Sequence, residues 1–425
     1  MVDRDVIQKR FDMAVSKFSD YGVDVNAAIA KFETIPISLH NWVDDDVVGF
    51  EDVEGLHNEN VVTGNYPGKA RNGDEMRRDI EMAISLSPTK PKLNLHTIYA
   101  EPVTKKGRNE LDTEDFRKWI DWAKEHGCGI DLNVSYFTHP NMDGGFSLAS
   151  DNPKIRDFWV ECGKGSRKIA ADIGKELGVV CVNNLWIPDG MKDIPANRFR
   201  FRANLIESLD RIFEEKYDKA YTRDVLEGKL FGIGIEAFTV GSHDFYLGYA
   251  AKNGLGVCMD TGHYLPTETI IDKLSAVHPF VDCIQLHLSR GIRWDSDHTL
   301  IYSDELVDIM HEMRRGELYD KNVYMGLDFF DATINRVAEW VIGLRAAGKA
   351  LLTALLEPTH LLFEAEEKRD YTLRLALMEE FKGLPYNDVW DYLCAMRNAG
   401  VGTEWIDVIK KYEAEVLMHR NRLSE

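Results

Sequence analysis

The amino-acid sequence predicts an α/β fold, a (β/α)8 TIM barrel over residues 1–345 with a C-terminal helical extension over 346–425. Three observations carry this. Eight short apolar, β-branched runs alternate with longer amphipathic ones, the pattern of a parallel sheet, and eight strands close a barrel. No G-x-G-x-x-G follows the first run, which disfavours an open, doubly wound sheet. Beyond about residue 345 the pattern is helical only, in LRLALMEEF, DVWDYLCAM and EWIDVIKKYEAEVLM, an extension suited to packing on the barrel or on a neighbouring subunit.

The expected strands, in order, are IPISL (35–39), KLNLHTI (92–98), GIDLNV (129–134), VVCVNN (179–184), FGIGIE (231–236), LGVCMD (255–260), VDCIQLHL (281–288) and VYMGLD (323–328). Each is short and rich in residues that fit a pleated, buried surface. Helix-period segments lie between them: 74–84, 113–127, 153–178, 196–216 and 303–318. The third of these ends in KELG, a basic residue and a glycine that signal a helix stop.

Composition narrows the function. At 425 residues with 44% hydrophobic content, the chain can bury a large core. The net charge of −20 leaves no basic stripe for a nucleic-acid backbone, so no nucleic-acid partner is expected. The six cysteines lack C-x-x-C spacing, and Cys181, Cys258 and Cys283 fall in apolar runs, as reduced core thiols do. The N-terminal MVDRDVIQKRFDMAV is charged and helix-patterned, without a signal-peptide apolar segment, and no run is long enough to span a membrane. A soluble cytoplasmic protein is the expectation.

Barrel chemistry sits at the C-terminal ends of the strands. Those ends carry His40 and Trp42, His96, Asn133, then Asn183, Trp186, Asp189 and Lys192, then Glu236, Asp260, His287 and Asp328. So many carboxylates in one mouth cost several kcal/mol each unless a cation neutralises them. RWDSDH (293–298) follows the seventh strand directly. In an extended chain Asp295 and Asp297 point to the same side. In CMDTGHYLPTE, Asp260 and His263 are three apart and face one point if the chain turns helically there. The set of Glu236, Asp260, Asp295, Asp297, Asp328, His263 and His287 is oxygen-rich and thiolate-free, which suits Mn²⁺, Mg²⁺ or Co²⁺ better than a structural Zn²⁺ site. Its five carboxylates imply two ions. D-S-D alone would be a solvated loop; the barrel gives it a purpose. The glycine-rich VVTGNYPGKARNG (61–73) lacks the G-K-[ST] of a phosphate loop and suits a surface turn or a loop over the mouth equally.

The runs SLHNWVDDDVVGFE, TGNYPGKARN, LNLHTIY, NLWIPDGMKD, KLFGIG followed by a glutamate, DTGHYLPTE, LHLSRGIRWDSDH, GLDFFDATINRVAEWVIG and ALLEPT resemble the L-rhamnose isomerase family along nearly the whole chain. That resemblance implies a (β/α)8 barrel with a helical extension, a homotetramer, and interconversion of L-rhamnose and L-rhamnulose with a divalent metal, typically Mn²⁺. It implies that His263, Asp295 and Asp297 are manganese ligands. Resemblance to the broader two-metal aldose isomerases implies that Glu236, Asp260, His287 and Asp328 complete a neighbouring structural site, where Mg²⁺, Co²⁺ or Zn²⁺ could also sit. Some related isomerases carry a lysine two residues after the strand-five glutamate. The run Glu236-Ala237-Phe238 has none, which leaves Lys192 or the metal alone to polarise the carbonyl.

The expected reaction is therefore aldose–ketose isomerisation of a 6-deoxyhexose. A metal-bound water held by Asp328 is expected to manage the O2 proton, and His96 to help open the pyranose ring. With the strand-end carboxylates claimed as metal ligands, no spare base is left at C2, so a hydride shift is expected rather than an enediol. A metal-dependent phosphoesterase would use similar ligands but want basic residues, and a non-catalytic sugar-binding protein would not need such a convergence of ligands.

Overall fold

The computed structural model describes residues 3–51, 64–230, 237–265, 267–292 and 294–420, with side chains at all of these except 294–296. Eight strands form a closed ring: β1 (Pro36–His40), β2 (Lys90–His96), β3 (Ile130–Ser135), β4 (Cys181–Trp186), β5 (Thr222–Glu227), β6 (Gly256–Asp260), β7 (Ile284–Leu288) and β8 (Val323–Leu327). Each pairs in parallel with its sequence neighbours, and β8 closes on β1 through Ile37–Met325 and Ser38–Gly326. The barrel is as expected, with one correction. The fifth place is taken by Thr222–Glu227, paired to β4 and β6; the expected strand FGIGIE (231–236) lies outside the described residues.

β5 escapes an apolar-run reading because its sequence is TRDVLE. Two of its polar residues are absorbed by ion pairs outside the ring. Asp224 accepts from Arg167 Nε at 2.9 Å and Asn183 Nδ2 at 3.0 Å, and Arg223 Nη1 reaches Asp282 at 2.8 Å. Such pairing removes most of the cost of burying polar groups in a central strand.

Strand alternation sorts side chains between the ring interior and the surrounding helices. Val182, Val225, Cys258 and Cys283 form a small separate core. Two residues further along the same faces stand Asn184, Glu227, Asp260 and Gln285, with His287 beyond, so an apolar layer underlies a polar one. All six cysteines are unpaired and buried.

The helix Pro153–Leu177 shows why the connections end where they do. Asn152 caps it, Pro153 opens it, and Gly178 at φ 69° closes it in the left-handed region that glycine adopts without strain. After β8, one continuous buried helix, Arg336–Leu355, packs on β1 and on the helices Val25–Phe32, Gly73–Ser85 and Asp304–Arg315. The boundary expected at residue 345 falls inside it. Helices Thr359–Glu367, Tyr371–Phe381, Tyr386–Met396 and Glu404–Tyr412 follow. The first helix, Arg4–Ser19, packs on Tyr386–Met396, where Phe11 stacks on Tyr392 at 3.8 Å. Among the described residues, no helix is long and apolar enough to cross a membrane.

Candidate metal centre and sugar pocket

The C-terminal ends of β5 to β8 bring Glu227, Asp260, His287 and Asp328 together, with ligand atoms all within 4.8 Å of one another. Register explains the meeting: Asp260 is paired with His287, and His287 with Gly326 two residues before Asp328. His287 Nδ1 lies 3.1 Å from Asp328, 3.5 Å from Glu227 and 3.9 Å from Asp260. Second partners orient the carboxylates. Asn184 Nδ2 donates to Glu227, Trp42 Nε1 donates to Asp328 at 3.1 Å, and Asp260 Oδ1 accepts from Gly262 N at 2.6 Å and Ser289 Oγ at 3.0 Å.

Asp260 also belongs to a second cluster with His263 and Asp297. After β6 the chain makes a 3₁₀ turn, Thr261–His263, whose three-residue period sets His263 over Asp260. WDSDH forms a short strand, Trp294–His298, paired antiparallel with Arg290–Ile292. It is not uniformly extended, because Asp297 has φ 38°, a conformation that costs a non-glycine residue energy. The Asp295 side chain and the whole of Glu236 lie outside the described residues.

Electrostatics fits this donor set to divalent cations. Burial pushes the Asp260 carboxyl up to about 7, and its Oδ2 has no hydrogen-bond partner. For Asp328, burial pushes upward, but the hydrogen bond and charge of His287 outweigh it and hold the carboxyl below its usual range. Glu227 is held low in the same way, by His287 and His263 against burial. Burial alone would lower His287, yet its acidic neighbours raise it well above the ordinary value. A positive charge is therefore favoured at the centre of the cluster, which a bound cation meets better than a proton. Cys258 Sγ lies beside Glu227 and His287 as well, but burial pushes its thiol far up, which keeps it protonated.

The ends of β1 to β4 build a different wall. Trp42 packs on His96 at 4.5 Å, His96 on Phe137 at 5.4 Å, and Phe137 on Trp186 at 5.4 Å. His40 Nε2 sits 2.5 Å from Phe329 O and 3.1 Å from Phe329 N. Burial lowers His40 to about 4 and His96 to about 3, so both rings are neutral.

Several residues escaped sequence reasoning or changed place. Glu227 stands where Glu236 was expected. With β5 reassigned, the run is Glu227-Gly228-Lys229, so a lysine does follow the strand-five glutamate by two. Lys229 is buried, its ammonium 5.0 Å from the Trp186 ring. The signal was E-G-K after a strand whose charges hid it. Lys192 is exposed, just beyond the short strand Gly190–Met191. Asn183 faces Ser166 and Asp224 outside the ring, and Asn184 faces the mouth instead. Asp189 holds a loop, accepting from Ser147 N at 2.8 Å and Ala149 N at 2.7 Å.

A family model described as L-rhamnose isomerase matches residues 5–420. A protein named L-rhamnose isomerase from Mannheimia succiniciproducens is 49% identical over 97% of this chain and 99% of its own length. One of the same name from Yersinia pseudotuberculosis serotype IB is 47% identical with the same coverage. Among solved structures, an L-ribulose 3-epimerase superposes with a TM-score of 0.47 at 11% identity, over 75% of this chain and 95% of that one.

Proposed function

This chain belongs to the L-rhamnose isomerase family, and from that premise we propose that it interconverts L-rhamnose and L-rhamnulose with Mn²⁺ in the acidic half of its barrel mouth. The observation that supports the metal assignment is the joining of four buried or half-buried carboxylates and two imidazoles from β5 to β8. Glu227, Asp260, His287 and Asp328 would hold one ion. His263, Asp297 and Asp295 would hold a second, with Asp260 between the two. Mn²⁺ is the proposed occupant, and Mg²⁺, Co²⁺ or Zn²⁺ suits one site as well. When bound, such ions would supply Lewis-acid polarisation of the sugar's oxygens, chemistry that suits a hydride shift.

The chain's own residues do the rest. His96, neutral and buried, presents a donor to the ring oxygen as the pyranose opens. Asp328, oriented by Trp42, would hold the water that takes the O2 proton and returns one to O1. Lys229 polarises the carbonyl, the role that the sequence alone left to Lys192 or to the metal. Trp42, Phe137 and Trp186 give the sugar an apolar face and exclude water. With the strand-end carboxylates taken as ligands, we expect the hydride shift rather than an enediol. We further place the protein in the cytoplasm as a homotetramer whose helical extension packs on barrel or neighbour, with a free sugar as its small-molecule partner.

The test follows the label from L-[2-²H]rhamnose in ordinary water by NMR. The proposal expects L-rhamnulose with deuterium retained at C1. Formation of the ketose with the label washed out would replace the hydride shift by an enediol, and no ketose at all would overturn the substrate assignment.

A further inference from the structure

Arg108 belongs to neither ligand cluster, yet it is 4% exposed. Its guanidinium is engaged on every side. Nη1 donates to the carbonyls of Ser135 at 2.5 Å and Phe137 at 2.7 Å, and Nη2 to that of Thr138 at 3.3 Å. Nε and Nη2 grip the Glu51 carboxylate at 2.8 and 2.6 Å, the two-pronged geometry in which arginine fixes direction as well as charge. The three carbonyls belong to the segment that leaves β3. Thr138 there has φ 47°, a left-handed conformation that persists only when its surroundings enforce it.

That segment carries two neighbours of His96. Ser135 Oγ lies 3.1 Å from His96 Nδ1, and the Phe137 ring meets the imidazole edge-on. A directed chain of hydrogen bonds ends at the histidine. Ser135 N donates to Thr97 Oγ1 at 3.1 Å, and Thr97 Oγ1 donates to Ser135 Oγ at 3.2 Å. The Ser135 hydroxyl proton is then left for Nδ1. A neutral imidazole that accepts at Nδ1 carries its proton on Nε2.

We propose that Arg108, clamped by Glu51, is a positioning residue for opening of the sugar ring: it fixes the 135–138 backbone so that Ser135 and Phe137 hold His96 as an Nε2–H donor aimed at the pyranose oxygen. This rests on the aldose-isomerase reading above. In ring opening the C1–O5 bond breaks and its electron pair stays on O5. O5 takes a proton while O1 gives one up to water as the C1 carbonyl forms, so the proton count is unchanged. A fixed donor stabilises the charge developing on O5 without reorganising as it forms. Arg108 touches neither sugar nor ion; it acts through His96.

The experiment compares the full-length protein with Arg108→Gln, Arg108→Lys and Ser135→Ala, using L-rhamnose and L-[2-²H]rhamnose. Misplaced by about an ångström, such a group costs about 10²-fold. In Arg108→Gln, kcat/KM is expected to fall about 10- to 100-fold with metal content at the wild-type level. The deuterium isotope effect on kcat/KM is expected to shrink toward 1, because opening rather than hydrogen transfer becomes slow. Arg108→Lys keeps the charge without the fork and should recover part of the loss. If Arg108→Gln does not fold, Ser135→Ala carries the same expectation with the clamp intact. An unchanged or larger isotope effect, or unchanged kcat/KM, overturns the proposal. A wild-type protein that forms no L-rhamnulose would instead overturn the isomerase reading itself.

Discussion

The two halves of the barrel mouth are built from equivalent strand ends, yet they carry opposite electrostatics. On the β5–β8 side, Glu227, Asp260, Asp328 and Asp297 gather with His287 and His263, and neighbours including Glu227 and Asp328 raise His287 well above its ordinary value. On the β1–β4 side, His40 and His96 sit among Trp42, Phe137 and Phe329, and burial drops them to about 4 and about 3. The same side chain is thus driven toward charge in one half and away from it in the other. The lesson is a division of labour. One half is organised to hold positive charge, and the other to offer a neutral donor and an apolar face. Trp42 joins them through its bond to Asp328.

The comparison can be broken most forcefully in the acidic half. Glu227→Gln removes one member of a buried charge set, which costs about 3–5 kcal/mol, on the order of a thousandfold in metal affinity or rate. Metal content by elemental analysis and Tm should fall along with turnover, since ion binding to the native state is itself stabilising. Normal metal content in this variant would remove β5 from the site. In the neutral half, His96→Asn is expected to lower kcat about 10²-fold while metal content stays at the wild-type level. Parallel loss of metal would erase the distinction between the halves.

Trp42→Phe tests the join. It keeps an aromatic ring but deletes the donor to Asp328, and a hydrogen bond to a charged group contributes about 1.5–3 kcal/mol. With the ring retained the lower end of that range is expected, so activity should drop about tenfold, by less than in either preceding variant.

The far end of the barrel supplies a control, a buried carboxylate answered by the protein's own cations. Glu357 accepts from Arg315 Nε at 3.0 Å and lies 3.1 Å from His311 Nδ1. Burial pushes its carboxyl up, but these partners outweigh burial and bring it from 4.5 down to about 2. The unfolded chain therefore binds the proton more readily than the folded one. The stabilisation is fully present above pH 4.5 and is lost as pH falls toward 2. By pH 4 the loss is about 1 kcal/mol. Urea unfolding of the wild type and Glu357→Gln at pH 7 and pH 4 should show the difference between them narrowing as pH falls.

What was legible in the sequence follows from where each residue's partners lie. Asp260, His287 and Asp328 could be found because apolar runs lead straight into them. His263 followed from its three-residue spacing to Asp260, which the 3₁₀ turn realises. Glu227 and Lys229 stayed hidden because β5 pairs its charges with Arg167 and Asp282, partners distant in sequence. A strand identified by its apolar residues alone was placed nine residues too late. The neutral half was legible only as single histidines and tryptophans. Its organisation depends on Arg108, which opens a single 3₁₀ turn, and Glu51, neither of which has a periodic signature.

The most direct test of the central claim measures L-rhamnulose formation from L-rhamnose after dialysis against EDTA, and again after Mn²⁺ is restored. The account predicts that ketose formation is lost with the metal and returns with Mn²⁺ in wild type, and that it does not return in Glu227→Gln at the same Mn²⁺ concentration. Undiminished ketose formation by the metal-stripped protein, with elemental analysis confirming that the metal is gone, would contradict it.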